Sequence, residues 1–328
     1  MTHYPEILSG LIDGRHKWLV TGAAGFIGSH LTEALLSLGQ EVTGLDDMSR
    51  GHRENISAAL SESGHGESFT FIEGSITDID TCREAVRGCD YVLHHAALAS
   101  VPESLADPVN YHTVNVTGFM NVLQASRELD VRRVVYASSS AVYGDDETMP
   151  KVESITGKSL SPYAMTKYVN EIYAEFFTRV YGLECAGLRY FNVFGPRQDS
   201  NGAYAAVIPR WIDAVRSGNT PVIYGDGEQS RDFCAVQNVV KANILAAMSH
   251  ESSVFNIGCG VRTSLNELLG KIYAVFAPNS EVKCIHEPPR DGDILHSSAS
   301  IERAQRVLNY SPSVYLEEGL SIINDYQA

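Results

Sequence analysis

Thr21-Gly22-Ala23-Ala24-Gly25-Phe26-Ile27-Gly28 follows the apolar run His16-Lys17-Trp18-Leu19-Val20 and leads into residues 29–38. The run before it predicts a buried strand, and the residues after it predict a helix. Glycines at 22, 25 and 28 let a backbone approach a pyrophosphate and leave that anion at a helix N-terminus. The spacing is Gly-x-x-Gly-x-x-Gly, not Gly-x-Gly-x-x-Gly, and a glycine triplet alone says little. Its place between a strand and a helix gives it meaning.

A second strand, residues 41–45, ends at Asp46-Asp47. Asp46 lies eighteen residues past Gly28, near the ~20 expected of an acid that binds an adenine ribose. An acid there favours NAD over NADP, because it repels a 2′-phosphate; the plainer alternative is that Asp46 caps the next turn. A third strand covers residues 69–72. Residues 91–97 form a fourth that ends in small residues, residues 107–129 a long helical stretch containing Asn115, and residues 134–140 a fifth strand ending in three hydroxyls. Alternating strands and helices over residues 17–190 predict an α/β fold, a doubly wound parallel sheet with helices on both faces. Ligands of such sheets bind beyond the carboxyl ends of the strands. Gly22, Asp46, His95 and Ser138-Ser139-Ser140 all fall there.

A second motif is Ser161-Pro162-Tyr163-Ala164-Met165-Thr166-Lys167. The helix predicted from it runs to about Tyr181, with Tyr168, Ile172, Phe176 and Val180 at helical spacing. Tyr163 and Lys167, at i and i+4, share one face. A lysine cation favours the phenolate and lowers a pKa that starts near ~10, which makes Tyr163 a base usable near neutral pH. Alone, such a pair is usually solvated helix surface.

Of the 328 residues, 44% are hydrophobic, enough for one large domain or two smaller ones. Residues 1–195, with an extension over 1–16 in which Pro5 opens a short helix to Ile12, read as the dinucleotide-binding part. Residues 196–328, richer in loops, read as an interleaved substrate-binding part. The net charge of −15 argues against nucleic acid and anionic membrane as partners. It leaves an anionic ligand to local donors, among them Arg197, Arg210, Arg231 and Arg290. No run of about 18 apolar residues predicts a membrane span, and the N-terminal residues do not read as a signal peptide. The six scattered cysteines read as reduced thiols of a cytoplasmic protein. No histidine pair flanks a glutamate, so zinc chemistry has no support.

With Gly22-x-x-Gly25-x-x-Gly28, Ser138-Ser139-Ser140 and Tyr163-x-x-x-Lys167 in one chain, the sequence resembles the extended short-chain dehydrogenase/reductase family. Residues 136–140, 161–164, 188–195, 201–209 and 227–234 are similar to the bacterial UDP-N-acetylhexosamine 4-epimerases of polysaccharide biosynthesis. The resemblance implies a Rossmann-type fold, NAD as cofactor and a UDP-sugar as substrate. It implies that Gly22, Gly25, Phe26, Ile27 and Gly28 hold the pyrophosphate. Asp46, Asp47, Met48, Ser49 and Gly51 would surround the adenosine ribose, with Ser75 and Ile76 near the adenine. Ala96, Ala97, Asn115, Tyr190 and Val193 would line the cofactor, and Tyr163 and Lys167 would also bind the nicotinamide ribose. Ser100, Ser139, Ser140, Tyr163 and Asn192 are the implied sugar contacts. Ala206, Val207, Arg231, Arg290 and Asp293 are those for the nucleotide.

The implied reaction inverts C4 of the sugar through a transient 4-keto intermediate, with Tyr163 as base, Ser139 or Ser140 as proton relay and Lys167 as support. Ser297 stands where relatives restricted to plain hexoses carry a tyrosine, so the small side chain leaves room for an N-acetyl group. UDP-GlcNAc and UDP-GalNAc are therefore expected ahead of UDP-glucose and UDP-galactose, with the uronic acid pair UDP-GlcNAcA/UDP-GalNAcA close behind. The chain departs from the family pattern at Ser75 (usually Asp), Ala235 (usually Tyr) and Leu295 (usually Arg). One rival is a 4,6-dehydratase, which needs an Asp-Glu pair where this chain has Ser140-Ala141. The other is a non-enzymatic NAD-binding protein, which has no need of an intact Ser139, Ser140, Tyr163 and Lys167. The resemblance also implies a homodimer, with the helices of residues 107–129 and 163–181 pairing into a four-helix bundle.

Overall fold

The computed structural model describes residues 4, 8–199, 206–289 and 295–327. Seven parallel strands form the central sheet: β1 (Lys17–Thr21), β2 (Glu41–Asp46), β3 (Phe69–Glu73), β4 (Tyr91–His94), β5 (Arg133–Ser139), β6 (Glu184–Tyr190) and an edge strand, Val254–Ile257. Across the sheet they run in the order Val254–Ile257, β6, β5, β4, β1, β2, β3. This is the Rossmann-type doubly wound arrangement expected from the sequence. The order reverses between β1 and β4, and a crevice opens beyond their carboxyl ends.

Apart from the edge strand β3, the strands are largely buried on both faces, which is why they read as apolar runs rather than alternations. Successive residues nonetheless point into different cores. Trp18 and Val20 pack with Leu31 and Leu35 of the helix Phe26–Ser37 and with Val239 and Val240 of the helix Val236–Met248. Leu19 and Val92 pack on the other side, with Cys82 and Val86 and with Phe119, Val122 and Leu123. A third core, built on Trp211, Ile212, Leu268, Ile272 and Leu320, joins three helices of the second half. That half also returns Val254–Ile257 to the central sheet, so the two halves interlock.

The cofactor-turn helix starts at Phe26, three residues before the position expected, which puts Gly28 in its first turn. A Cβ on Gly28 would lie 2.0 Å from the Gly22 carbonyl oxygen, so the third glycine lets the helix pack on the loop. The long stretch around Asn115 is two helical pieces, Pro108–His112 and Gly118–Glu128, joined by a π-helical turn at Thr113–Thr117. Of the helix proposed from Pro5 to Ile12, residues 5–7 lie outside those described; Leu8 is helical, and residues 9–12 turn and bend instead of continuing a helix.

The helix Pro162–Phe176 starts cleanly: Ser161 Oγ accepts the Ala164 N–H at 3.1 Å, and Pro162 fills the first turn. Its inner face is polar as well as apolar, with Lys167, Asn170 and Glu171 buried beside Ala164 and Ala174. Its large apolar residues Tyr168, Ile172 and Phe176 lie on the exposed side. Glu171 anchors the inner face. Its carboxylate accepts Ser138 Oγ–H at 2.5 Å from β5, and Arg189 Nε–H and Nη2–H at 2.9 and 2.7 Å from β6. Both partners of the ion pair are buried.

Removing one partner of such a pair strands a charge, at a cost of about 3–5 kcal/mol. Arg189→Met is therefore expected to lose stability on that scale in urea unfolding, and the double variant Arg189→Met/Glu171→Leu much less. A single variant within about 1 kcal/mol of the parent would show that the pair is not buried as described.

Candidate active site

Two cavities open at the crevice and share Gly22, Gly25, Arg50, His95 and Ala97. One, of about 110 Å³, is bounded by Asp46, Asp47, Ser49, Gly51 and Ile76. The other, of about 360 Å³, is bounded by Ser138, Ser139, Tyr163, Lys167, Tyr190 and Val193. The glycine turn forms the wall between them.

Backbone demands explain the turn. Gly22 sits at φ +71°, and a Cβ there would lie 2.8 Å from the Ala96 nitrogen. No residue with a side chain fits both conditions. Thr21 ties the two strand ends together, because its Oγ1 accepts N–H bonds from His95 and Ala96 at 3.1 and 3.2 Å. Asp46 caps its turn, Oδ2 accepting Ala24 N–H and Oδ1 accepting Met48 N–H, each at 2.9 Å, and it also lines the smaller cavity. Asp47 in turn accepts the N–H and Oγ–H of Ser49.

Ser139 and Ser140 part company. Ser139 lines the larger cavity together with Tyr163, close enough for its hydroxyl to pull the phenol pKa down. Ser140 begins a short helical turn, Ser140–Tyr143, that Ser139 caps. Lys167 Nζ donates to the Ala137 carbonyl at 2.9 Å and lies 6.0 Å from the centre of the Tyr163 ring.

Over residues 18–258 the sequence matches the NAD dependent epimerase/dehydratase family. The chain belongs to that family. Its backbone is similar to that of a UDP-N-acetylglucosamine 4-epimerase from Methanobrevibacter ruminantium M1, solved with UDP-N-acetylmuramic acid: TM-score 0.90, 40% identity, 96% of this chain and 100% of that one. A UDP-glucose 4-epimerase from Mycolicibacterium smegmatis is 39% identical over 93% of this chain and 96% of its own. A UDP-glucuronic acid 4-epimerase from Bacillus cereus, solved with UDP-glucuronic acid and NAD, superposes with TM-score 0.85 at 28% identity, over 94% of this chain and 98% of that one.

The cofactor of this epimerase/dehydratase is NAD, and the crevice fits it. The glycine turn clears the approach of a diphosphate, the helix Phe26–Ser37 begins at it, and Asp46 stands at the end of β2. Met48 occupies the left-handed region, φ +59°, within the same loop. Asn115 serves from beneath instead of lining the cavity. It is fully buried, its Oδ1 accepts Leu98 N–H at 2.8 Å, and its Nδ2 donates to the Leu98 carbonyl and to Thr166 Oγ1. It thereby clips the loop after β4 to the helix of Tyr163. Ser75 is turned to Thr77 Oγ1 at 3.0 Å, while its neighbours Gly74 and Ile76 line the cavity.

On the sugar side, Asn192 Nδ2 donates to the Asp232 carbonyl at 3.3 Å, and Ser297 N–H donates to the Ser230 carbonyl at 3.0 Å. Arg231 lies between those contacts, its Nη1 donating to the Ser230 and Leu295 carbonyls. Ser100 caps the helix Val101–Ala106, and Ala206 precedes Val207 at the start of the helix Val207–Arg216. Arg290 and Asp293, and most of the 201–209 segment, lie outside the described residues. Glu171 and Arg189 were missed in the sequence. The available signal was Glu171 at i+4 from Lys167, on the catalytic face.

Electrostatics correct one expectation. Burial pushes the Tyr163 phenol up, against the pull of the nearby Ser139 hydroxyl, and Lys167 is not what offsets it. Burial lowers Lys167 to about 8, so its ammonium carries a desolvation cost while it stays charged at neutral pH. The unfolded lysine holds its proton to about 10.5 and the folded one only to about 8. Between those values the unfolded state binds more protons, so this group's contribution to stability rises with pH; below pH 8 its penalty is present in full. Lys167→Met is expected to raise the stability of NAD-free protein by about 1–3 kcal/mol at pH 7, with the gain shrinking between pH 8 and 10.5. Urea unfolding at a series of pH values checks this, and a pH-independent difference would refute it.

Proposed function

We propose that the chain is an NAD-dependent UDP-sugar 4-epimerase that interconverts UDP-GlcNAc and UDP-GalNAc. One observation carries the reading: Ser139, Tyr163 and Lys167 line a single cavity with the glycine turn. Residues 1–195 chiefly hold NAD, and residues 196–328 chiefly hold the UDP-sugar.

NAD, when held by the glycine turn and the cavity that Tyr163 and Lys167 line, would supply a reversible hydride acceptor. Tyr163 takes the proton of the sugar 4-hydroxyl and later gives it back. Ser139 hydrogen-bonds the same oxygen as it becomes a ketone. Lys167, fixed on the Ala137 carbonyl, keeps a cation close to the phenol. Between the two half-reactions the 4-keto sugar turns over about its diphosphate, gripped by Arg231 and Arg290. The small Ser297 side chain supports an acetamido sugar, as does the likeness to the Methanobrevibacter enzyme.

NMR of UDP-GlcNAc incubated with the purified protein, without added NAD, should show UDP-GalNAc. Conversion of UDP-GlcNAcA or UDP-glucose in its place would move the substrate, and a 4-keto-6-deoxy product would replace the epimerase reading with the dehydratase. Tyr163→Phe should cut kcat by at least 10²-fold and leave NAD bound.

A homodimer is part of the same reading. Leu105 and Val109, 63% and 74% exposed, lie on the two short helices that pack against Pro162–Phe176, which carries Ile172, 52% exposed. Such an apolar face is covered when a second copy docks on it. Sedimentation should give twice the 35.8 kDa chain mass, and Ile172→Glu should shift the protein to monomer. A parent protein that sediments as a monomer at micromolar concentration would exclude this interface. The cysteines, five buried and all free, fit a reducing compartment such as the cytoplasm.

A further inference from the structure

The helical turn that Ser139 caps is held from the edge of the central sheet. Ser139 Oγ accepts Ala141 N–H at 3.1 Å, so the place of the serine hydroxyl is tied to the single turn Ser140–Tyr143. Tyr143 closes that turn and is buried. Its hydroxyl lies 2.6 Å from Asn256 Oδ1, on the edge strand Val254–Ile257. The Tyr143 and Phe191 rings lie 6.0 Å apart, centre to centre, and the Arg189 guanidinium carbon lies 4.8 Å from the centre of the Tyr143 ring.

The surroundings settle the direction of the Tyr143–Asn256 bond. Asn256 is fully buried, and its Nδ2 donates to the Lys151 and Ser300 carbonyls at 2.9 and 3.1 Å. Carbonyls only accept, so the amide nitrogen faces them. Oδ1 then faces Tyr143, whose phenol donates its one proton. Burial pushes that phenol up to about 12, so the proton stays in place near neutral pH. The Asn256 backbone is fixed as well, its N–H donating to Glu153 Oε1 at 2.9 Å. The two carbonyls belong to segments that are themselves paired: Lys151 N–H donates to the Ser298 carbonyl at 2.9 Å, and Ser300 N–H to the Lys151 carbonyl at 2.8 Å. One buried amide thus ties the turn after β5 to these segments and to a strand 113 residues further on, in the second half of the chain.

We infer that Tyr143, anchored on Asn256, is a positioning residue for Ser139: it holds the turn, and with it the serine hydroxyl, against Tyr163 in the larger cavity. The inference rests on the epimerase reading, in which Ser139 and Tyr163 act on one sugar oxygen. A turn of four residues does not hold itself in place, and its far end is the end that Asn256 grips. The Ser139 hydroxyl pulls the buried Tyr163 phenol down, and Tyr111 pushes it up. Lys167 lies on the helix of Tyr163, and Arg50, His52, His95, Arg197 and Asp199 line the same cavity. None of these is altered in the variants below, so a shift in the titration of Tyr163 reports Ser139.

The test is steady-state kinetics at a series of pH values on UDP-GlcNAc, or on whichever UDP-sugar the wild type converts, with NAD content and thermal unfolding as checks on folding. Tyr143→Phe should lower kcat about 10-fold, keep KM within about twofold and keep its NAD. The acid limb of kcat should move up by about 0.5–1 pH unit, because a phenol without the pull of the serine ionises later. Ser139→Ala should move the limb the same way, and adding Tyr143→Phe to it should cost no more than about twofold further, since both remove one contact. Asn256→Ala takes away the acceptor and leaves the phenol. It should reproduce the Tyr143→Phe result, and it decides the matter if that variant does not fold. An unmoved acid limb, or losses that add across the pair, would mean that Tyr143 only stabilises the fold and would overturn the inference. Wild-type protein that turns over no UDP-sugar would refute the epimerase reading itself, and the inference with it.

Discussion

The crevice depends on how closely two backbones can pass. At the carboxyl end of β1 the chain must turn under the loop that leaves β4, and Gly22 leaves no space there for a Cβ. That contact sets where the helix Phe26–Ser37 begins and where its amide dipoles point. It also brings Thr21 within reach of the His95 and Ala96 amides, so the two strand ends share one hydroxyl. The reversal of strand order opens the gap, and the glycine contact shapes it into a site for a dinucleotide.

The catalytic side is secured differently, by buried polar groups. Glu171 joins the helix of Tyr163 to β5 and β6, Asn115 joins it to the loop after β4, and Lys167 joins it to the Ala137 carbonyl. These bonds have direction, unlike apolar contacts, so they set the rotation of the helix as well as its distance from the sheet. The role proposed for Tyr163, moving a proton at one sugar oxygen, needs that precision. The same groups leave little apolar surface on the inner face, and the large apolar side chains of this helix are left outside.

An acidic chain that binds a dinucleotide and a sugar diphosphate has to place its positive charge and its backbone donors locally. The first turn of the helix Phe26–Ser37 offers N–H groups without side-chain charge, and Arg231 belongs to the strand that Asn192 and Ser297 flank.

Much of this was legible in the sequence. Gly22, Gly25, Gly28, Asp46, Tyr163 and Lys167 announce themselves because local chemistry dictates them: a turn, a close approach, an i, i+4 pair. The parallel sheet follows from strands that alternate with helices and are apolar on both faces. Other features exist only in three dimensions. Whether Ser139 or Ser140 meets the phenol depends on where β5 stops and its helical turn starts. That Asn115 clips instead of lining and that Glu171 anchors a helix depend on partners between 17 and 51 residues away. The sequence by itself determined the sheet, the cofactor turn and the Tyr163–Lys167 pair, because their causes lie within a few residues of one another. Only the tertiary structure decided which polar groups face the crevice and which lock it from behind, because a hydrogen bond is assigned by the neighbours that folding brings together.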